Sequence, residues 1–371
     1  GTAGSSLSGV PGLFSNKIIE EWDPQRPLAV PGNELTVQPV LMYSIQARKE
    51  QTSWRSWGDI ITEQMANDET QRIMRELSDL ASRSDFPLRI LPIIKVQNID
   101  ETKNIHNNDF DVILVYPATG SGRVLLECCS AKKDNIIFVR HLSGPVYYWY
   151  EALSTAYLKC DDPERQKPSH DKNIHVEDVV VDDYNELLWR LRALYGVKNF
   201  VGHRIIALGG ASGKRVKEAP EIAREKYNWE IIEISYEDVK NRITGNLTNK
   251  KLISKAEKLT DIYLGLGNTS LKTDRIFVTR AFLLYFLFKD LMIENNASSI
   301  TVNSCMGTII PMSQTTACLT LGLLNDEGYT AFCESDFVII PPGILLRYIS
   351  GKPLFMHNST FPLNGIVTCS H

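Results

Sequence analysis

The chain has 371 residues, which is enough for about two domains of ordinary size. Its composition is 43% hydrophobic and 23% charged, which is typical of a globular protein and excludes a disordered or fibrous one. A formal net charge of −4 argues against a nucleic-acid-binding protein, and seven cysteines are too few for a disulfide scaffold. We therefore expect a soluble, thiol-containing α/β protein, and this composition favours an enzyme.

The first 35 residues are rich in Gly, Pro and Ser and show no sustained periodicity, so we predict an N-terminal arm. The longest apolar run, Ala281–Phe288, is far shorter than the roughly 20 residues that a membrane span needs. No membrane segment is therefore expected. Sparse cysteines favour the cytoplasm, while a start at Gly1 without methionine leaves open an export signal that has been removed.

Short apolar strands alternate with helical patterns along the rest of the chain. In chain order, the predicted strands are Pro39–Ile45, Leu88–Val96, Asp111–Tyr116, Asn135–Arg140, His203–Leu208, Glu230–Ile234, Ser299–Asn303 and Tyr329–Phe332. The predicted helices are Trp57–Ser82, one beginning near Gly122, Asp182–Leu194, helical stretches near 236–260, 274–294, Met312–Leu324 and 337–350.

This alternation predicts βαβ units on parallel sheets, that is, two doubly wound domains of the Rossmann or flavodoxin-like kind. We place the N-terminal arm at residues 1–35, the first α/β domain at 36–200 and the second at 201–371. Because the chain stops at His371 directly after a strand-like run, a further C-terminal domain is expected to be missing or truncated.

Two loops at predicted strand ends are candidates for ligand contact. The segment Leu208–Arg215 (LGGASGKR) fails the phosphate-loop pattern at two positions, so its glycines are expected to serve a tight turn. The segment Pro117–Arg123 (PATGSGR) offers Ser121 to a polyol, or is simply a turn between strand and helix. His141 closes the next strand and would lie at the same sheet edge, although a lone histidine is more often structural.

A pair of carboxylates follows the last predicted strand, at Glu334 and Asp336. At a strand end these two groups can converge on one site, and carboxylate oxygen is the ligand that Mn²⁺ and Mg²⁺ prefer. In the alternative interpretation Asp336 caps the helix 337–350 and Glu334 only favours the helix dipole. The residues alone leave both interpretations open.

The same region resembles the L-fucose isomerase / L-arabinose isomerase superfamily, in particular its fucose isomerase-like members. The resemblance rests on Thr316–Gly328, on Ala331–Asp336 (AFCESD) and on Leu345–Pro353 with Phe355. It implies a homo-oligomeric ketol isomerase that interconverts an aldose and a ketose of a small sugar. In the family, Mn²⁺ polarises the two sugar oxygens while a carboxylate moves the proton through an enediol.

Position by position, the resemblance makes Asp336 a metal ligand, Glu334 the acidic residue beside it, and His371 a metal ligand or a sugar contact. A further carboxylate of the family lies on the helix before the D-E-G motif, yet the predicted helix Met312–Leu324 contains no acid. A non-catalytic carbohydrate-binding protein of the periplasmic kind, hinged near residue 200, is therefore the alternative function.

Overall fold

The computed structural model describes residues 22–30, 32–47, 50, 58–148, 154, 156–162, 164, 168–358 and 361–369. Within these residues the chain forms two compact units. The N-terminal unit spans Glu34–Tyr195, and the C-terminal unit combines Gly196 onward with the described residues before Glu34. Both units are α/β. Within each unit all of the paired strands are parallel, which confirms the predicted fold class.

The N-terminal unit contains a six-stranded sheet in the order β2-β1-β4-β5-β6, with β3 also paired to β1. Its strands are β1 (Leu35–Met42), β2 (Leu88–Ile90), β3 (Ile94–Val96), β4 (Val112–Pro117), β5 (Asp134–Val139) and β6 (Val179–Val181). Its helices are α1 (Glu63–Arg83), α2 (Ile99–His106), α3 (Gly122–Cys128) and α4 (Tyr184–Phe200), and the last of these runs on past the unit boundary.

The predicted strand Leu88–Val96 is wrong as a single element, because it divides into β2 and β3 around Pro92. Proline has no backbone N–H to donate to a strand ladder. The carbonyl of Pro92 instead accepts a hydrogen bond from Nε2 of the buried Gln38 at 2.9 Å. The first strand also begins at Leu35 and ends at Met42, four and three residues earlier than predicted.

The C-terminal unit contains a four-stranded sheet in the order β10-β9-β7-β8. Its strands are β7 (Arg204–Leu208), β8 (Glu230–Ile234), β9 (Ser299–Val302) and β10 (Thr330–Cys333). Its helices are α5 (Ala219–Tyr227), α6 (Tyr236–Asn246), α7 (Lys250–Leu264), α8 (Arg275–Glu294), α9 (Ile309–Ser313), α10 (Cys318–Asp326) and α11 (Ile340–Ser350).

Alternate residues of these strands point to opposite faces, as the strand repeat requires. Ile206 and Ile300 join the largely buried helix α8 in one core, together with residues of α6, α7 and α10. Elsewhere in the unit, an aromatic ring directly before β8 packs against one after β10, with the ring centroids of Trp229 and Phe337 6.4 Å apart.

The predicted helix Met312–Leu324 is also wrong as a continuous element. Gln314 adopts a left-handed conformation with φ of 56°, which ends α9 and separates it from α10. The carbonyl of Thr315 then accepts the hydroxyl of the buried Ser313 at 3.0 Å, so the break is held by local polar bonds. Gly328, whose position after Leu323–Glu327 in the sequence predicts a helix stop, follows the C-cap of α10 with φ of 101°.

Part of the segment predicted as an arm belongs to the C-terminal unit. Trp22 is buried in the core beside Phe282, with ring centroids 5.6 Å apart. The backbone N–H of Ala29 donates to the carbonyl of Glu327 at 2.7 Å. Among the helices that the structure describes, none has the length and apolar character needed to cross a bilayer.

Candidate functional site

The carboxyl ends of β7, β9 and β10 carry a concentration of unusual backbone conformations. Gly209 and Gly210 follow β7, Ser304 follows β9, and Glu334 and Ser335 follow β10, all with positive φ. Three of these residues are not glycine, and a left-handed conformation costs such residues roughly 1–2 kcal/mol. Strain of this kind concentrates at functional sites, so we call this edge of the sheet the edge site.

The loop after β7 depends on its glycines, as the sequence predicted. A Cβ atom on Gly209 would lie 2.3 Å from the ring of Tyr236, and one on Gly213 would lie 1.9 Å from the carbonyl oxygen of Val216. At both positions a side chain would force its neighbours to move. The tight turn brings Ser212 and Lys214 toward the end of another strand.

Although β9 separates β7 from β10 in the sheet, the loop after β7 pairs with the segment after β10. The N–H of Ser212 donates to the carbonyl of Ser335 at 3.1 Å, and the N–H of Phe337 donates to the carbonyl of Ser212 at 2.8 Å. These two bonds fix the position of Asp336 relative to the glycine-rich loop. The edge site is therefore built from two loops that are about 120 residues apart in the chain.

The two predicted carboxylates lie here, and both already have partners. The ammonium group of Lys214 donates to Oε2 of Glu334, and these side chains are 49% and 43% exposed. Oδ1 of Asp336 accepts the N–H of Val338 at 3.1 Å and that of Lys214 at 3.4 Å. These two bonds of Asp336 stabilise the turn ahead of α11. The helix begins at Ile340 and not at residue 337 as predicted.

Ser335, which lies between the two carboxylates in the sequence, and Thr301 contribute buried hydroxyl groups to this site. Ser335 is fully buried, and its N–H donates to Oγ1 of Thr301 at 3.1 Å. The hydroxyl of Thr301 in turn donates to the carbonyl of Phe332 at 3.2 Å. The hydroxyl oxygen of Ser335 has no hydrogen-bond partner among the described residues. The unsatisfied hydroxyl and the left-handed conformations of Glu334 and Ser335 make this turn energetically unfavourable.

Tyr236 borders the same edge, and its hydroxyl donates to the carbonyl of Asn303. Burial is the main reason that the pKa of Tyr236 rises to about 12. Burial likewise raises the pKa of the Cys333 thiol to about 11, and the neighbouring Cys305 and Cys318 add to that rise. Both groups therefore stay protonated and neutral at ordinary pH.

Two of the three residues predicted as metal ligands, Glu334 and Asp336, lie in the described part of the chain. Within the described residues no three His, Cys, Asp or Glu side chains are arranged to hold a metal ion. Glu334 and Asp336 supply two carboxylates, and Lys214 competes for the first of them. The third predicted ligand, His371, lies outside the described residues. The donors in the described part do not by themselves fit a Mn²⁺ site, so we derive no chemical step through a metal.

The other two predicted contacts, Ser121 and His141, lie in the N-terminal unit. Ser121 caps α3, with its hydroxyl accepting the N–H of Val124 at 3.5 Å. His141 is exposed, and its backbone N–H donates to Oδ1 of Asp182 at 2.8 Å. The two residues follow the neighbouring strands β4 and β5. The Ser121 side chain has the contact of a helix cap, whereas the His141 bond involves only its backbone, so a ligand contact of the His141 imidazole stays a prediction. Cys128 and Cys129 are buried free thiols in the core.

Asp182 holds the loop that contains His141. Burial favours the protonated carboxyl, but the hydroxyl of Ser143 and three backbone N–H groups from residues 141–143 outweigh that effect. The pKa of Asp182 therefore falls to about 2.

A buried ionic cluster lies next to that loop, and a positive charge at the end of an apolar strand was the only signal of it in the sequence. Arg140 is fully buried and contacts Oε1 of Glu69 and Oε2 of Glu76, each at 2.5 Å. The hydroxyls of Tyr147 and Tyr184 donate to the same two carboxylates at 2.5 and 2.6 Å. Glu69 is buried, while the side chain of Glu76 is 28% exposed. These bonds order the loop after β5.

The phosphate-loop pattern around Lys214 fails, so the sequence did not indicate a functional role for this lysine. Its position after a glycine-rich turn at a strand end was the signal that could have identified it. The sequence matches no protein-family model and no curated protein. The resemblance to the fucose isomerase superfamily therefore stays a prediction from the residues that carry it.

Proposed function

We propose that the edge site binds a small sugar and interconverts its aldose and ketose forms. The observation that carries this proposal is the accessible Lys214–Glu334 pair, held on strained turns at the carboxyl edge of a parallel sheet. In open α/β sheets this edge is where ligands bind. A carboxylate and an ammonium group side by side provide a base and a positive charge, which are the two requirements of enediol chemistry.

In the proposed reaction, the Glu334 carboxylate removes the proton from C2 of the open-chain aldose. The electron pair of the broken C–H bond forms the C1–C2 double bond, and the carbonyl π electrons move onto O1. The ammonium group of Lys214 stabilises the negative charge on O1 and supplies a proton to it. The neutral amine of Lys214 then takes the proton from O2 as the C2 carbonyl forms, and the protonated Glu334 delivers a proton to C1. This completes the ketose and restores both side chains, with no external oxidant.

The divalent cation that the resemblance implies, Mn²⁺, is a separate part of the proposal. Glu334, Asp336 and His371 would be its ligands, and it would polarise the sugar oxygens. A cation at this position would have to displace Lys214 from Glu334. Assays with and without Mn²⁺ therefore test whether the activity needs the ion.

The decisive experiment incubates the protein with a panel of aldoses in D₂O and follows deuterium incorporation at C1 and C2 by NMR. We expect incorporation with at least one sugar, and a loss of at least 100-fold in Glu334→Gln, because the amide is not a base. The matched control is Glu218→Gln, an exposed acid outside the site, which should exchange like the wild type. No incorporation into any sugar, with or without Mn²⁺, would refute the enzyme.

A specific observation favours the second candidate, a carbohydrate-binding protein without catalysis. Glu334 is paired with Lys214, and Asp336 accepts two backbone N–H groups, so neither carboxylate is without a partner. Such a protein would show a sugar-dependent rise in melting temperature with no deuterium incorporation. The same sugar panel distinguishes the two functions.

A further inference from the structure

A cavity of about 460 Å³ lies on the helical side of the C-terminal unit, apart from the residues of the edge site. Its walls come from the end of α6 and the loop that follows, from α7, from the first half of α8, and from α9 with its C-cap. Ligand pockets in proteins usually measure about 300–1,000 Å³. The cavity is therefore large enough for a small organic molecule.

The lining is mixed, with six apolar residues among eleven. Leu247, Ile253, Leu283 and Met312 are contributed by four different segments, and Leu283 is buried. The threonine hydroxyls in the lining already have partners. Those of Thr244 and Thr248, for example, donate to backbone carbonyls at 2.9 and 3.1 Å. A ligand would therefore meet apolar side chains next to hydroxyl groups whose protons are already donated.

Arg280 is the one lining residue with a formal charge. Its Nη1 donates to the carbonyl of Gln314 at 3.4 Å, and no carboxylate of the described residues forms a salt bridge with it. Two other arginines of this unit are paired with carboxylates, since Arg275 contacts Asp261 at 2.8 Å and Arg242 contacts Glu294 at 2.9 Å. A guanidinium group has five N–H donors, so most of those on Arg280 are available.

We propose that this cavity binds a small amphipathic organic anion. The guanidinium of Arg280 would hold the head group, and the hydrocarbon part would lie against Leu247, Ile253 and Leu283. The planar fork of arginine matches both carboxylate and phosphate, so the head group is one of these two. Burial of the hydrocarbon part supplies most of the affinity, and the charge supplies the selectivity. This inference does not depend on the proposed isomerase activity.

The test measures binding of three eight-carbon probes, octanoate, octyl phosphate and 1-octanol, to the whole chain by isothermal titration calorimetry. We expect one-to-one saturable binding of at least one of the two anions, at least tenfold tighter than octanol. The tighter of the two anions identifies the head group. Higher salt should weaken this binding, because salt screens the contact with Arg280.

Three variants make the test specific. Arg280→Met keeps the hydrocarbon stem and removes the charge, and we expect at least a tenfold loss of anion affinity. Thr244→Trp places an indole at the exposed rim and should block all three probes. Lys258→Met removes an exposed positive charge of α7 that does not line the cavity, and should bind like the wild type.

The proposal is overturned if neither anion binds the wild type, if octanol binds as tightly as both anions, or if folded Arg280→Met binds the anion as tightly as the wild type. If Arg280→Met does not fold, Thr244→Trp and the comparison with octanol still decide. Unchanged binding in Thr244→Trp would place the probe elsewhere and would also overturn the proposal.

Discussion

The ammonium group of Lys214 contacts the carboxylate of Glu334, and this contact joins the loop after β7 to the loop after β10. Both side chains are about half exposed, so water screens their attraction and the pair contributes at most about 1 kcal/mol to stability. The pair mainly changes the charge around Glu334, because the positive ammonium group would compete with a metal ion for this carboxylate.

Replacing Lys214 with glutamine should free Glu334 and raise the affinity for Mn²⁺ at least tenfold. The reason is that a competing positive charge is removed from a site with two carboxylates. Electron paramagnetic resonance of free Mn²⁺ measures the change, and Lys217→Gln, an exposed lysine three residues away, is the control. Equal Mn²⁺ affinity in Lys214→Gln and the wild type would show that these carboxylates do not bind the ion.

Ser335→Gly should stabilise the protein by about 1 kcal/mol. Glycine adopts the left-handed conformation without a steric penalty, and the change also removes a buried hydroxyl that has no partner in the described part of the chain. Ser335→Ala removes the hydroxyl but keeps the strain, so its free energy of unfolding should lie below that of Ser335→Gly. Urea unfolding measures both variants, and a glycine variant less stable than the wild type would contradict this account.

Arg140→Met should destabilise the N-terminal unit by about 3–5 kcal/mol, because it removes the buried positive partner of Glu69 and leaves only the half-exposed Arg72. A second change, Glu69→Gln in the same protein, should recover part of that loss by removing the isolated charge. The control is Arg72→Met, since Arg72 is half exposed and lies 3.4 Å from Glu69. Its effect on the free energy of unfolding should be below about 1 kcal/mol. A double variant no more stable than Arg140→Met would argue against a purely electrostatic cost.

Buried His203 should make stability depend on pH between about 4 and 6.5. Burial lowers the pKa of His203 to about 4, while the carbonyl of Asn199 acts weakly in the opposite direction. The unfolded chain then binds a proton at higher pH than the folded chain does, so this contribution is complete above about 6.5 and decreases as the pH falls toward 4. Its full size is about 3 kcal/mol for a shift of this magnitude.

Urea midpoints measured from pH 4 to pH 8, for the wild type and for His203→Gln, test this dependence. The glutamine variant should lose the slope between pH 4 and 6.5 while keeping the slopes that other groups cause. An identical pH profile in the two proteins would show that His203 does not titrate in this range.

The sequence was informative where one local pattern determines the structure. Apolar runs such as Glu230–Ile234 and the largely buried α8 follow directly from hydrophobic periodicity, and Gly328 ended its helix as predicted. The edge site was harder to predict, because its contacts depend on sheet order. Lys214 meets Glu334 only because β7 and β10 flank β9, and no local pattern specifies that order.

The two elements that were predicted wrongly have local causes that periodicity does not report. In Met312–Leu324 the left-handed Gln314 ends α9, and the polar residues that follow it separate α9 from α10. In Leu88–Val96 a proline divides a strand, and its carbonyl bonds to a glutamine that is distant in sequence. The strand pattern predicted Glu334 and Asp336 at one strand end, but no pattern in the sequence specified their hydrogen-bond partners.

The C-terminal unit is discontinuous in sequence, and this has a consequence for biogenesis. Trp22 packs in its core, and the side chain of Asn199 accepts the backbone N–H of Asn33 at 2.6 Å. On the ribosome these early residues emerge long before β7 to β10 exist, while residues 34–195 can already fold as a unit. Trp22 therefore stays without its core partner until the chain has been synthesised past Phe282. During this interval the tryptophan is exposed to chaperones and to aggregation.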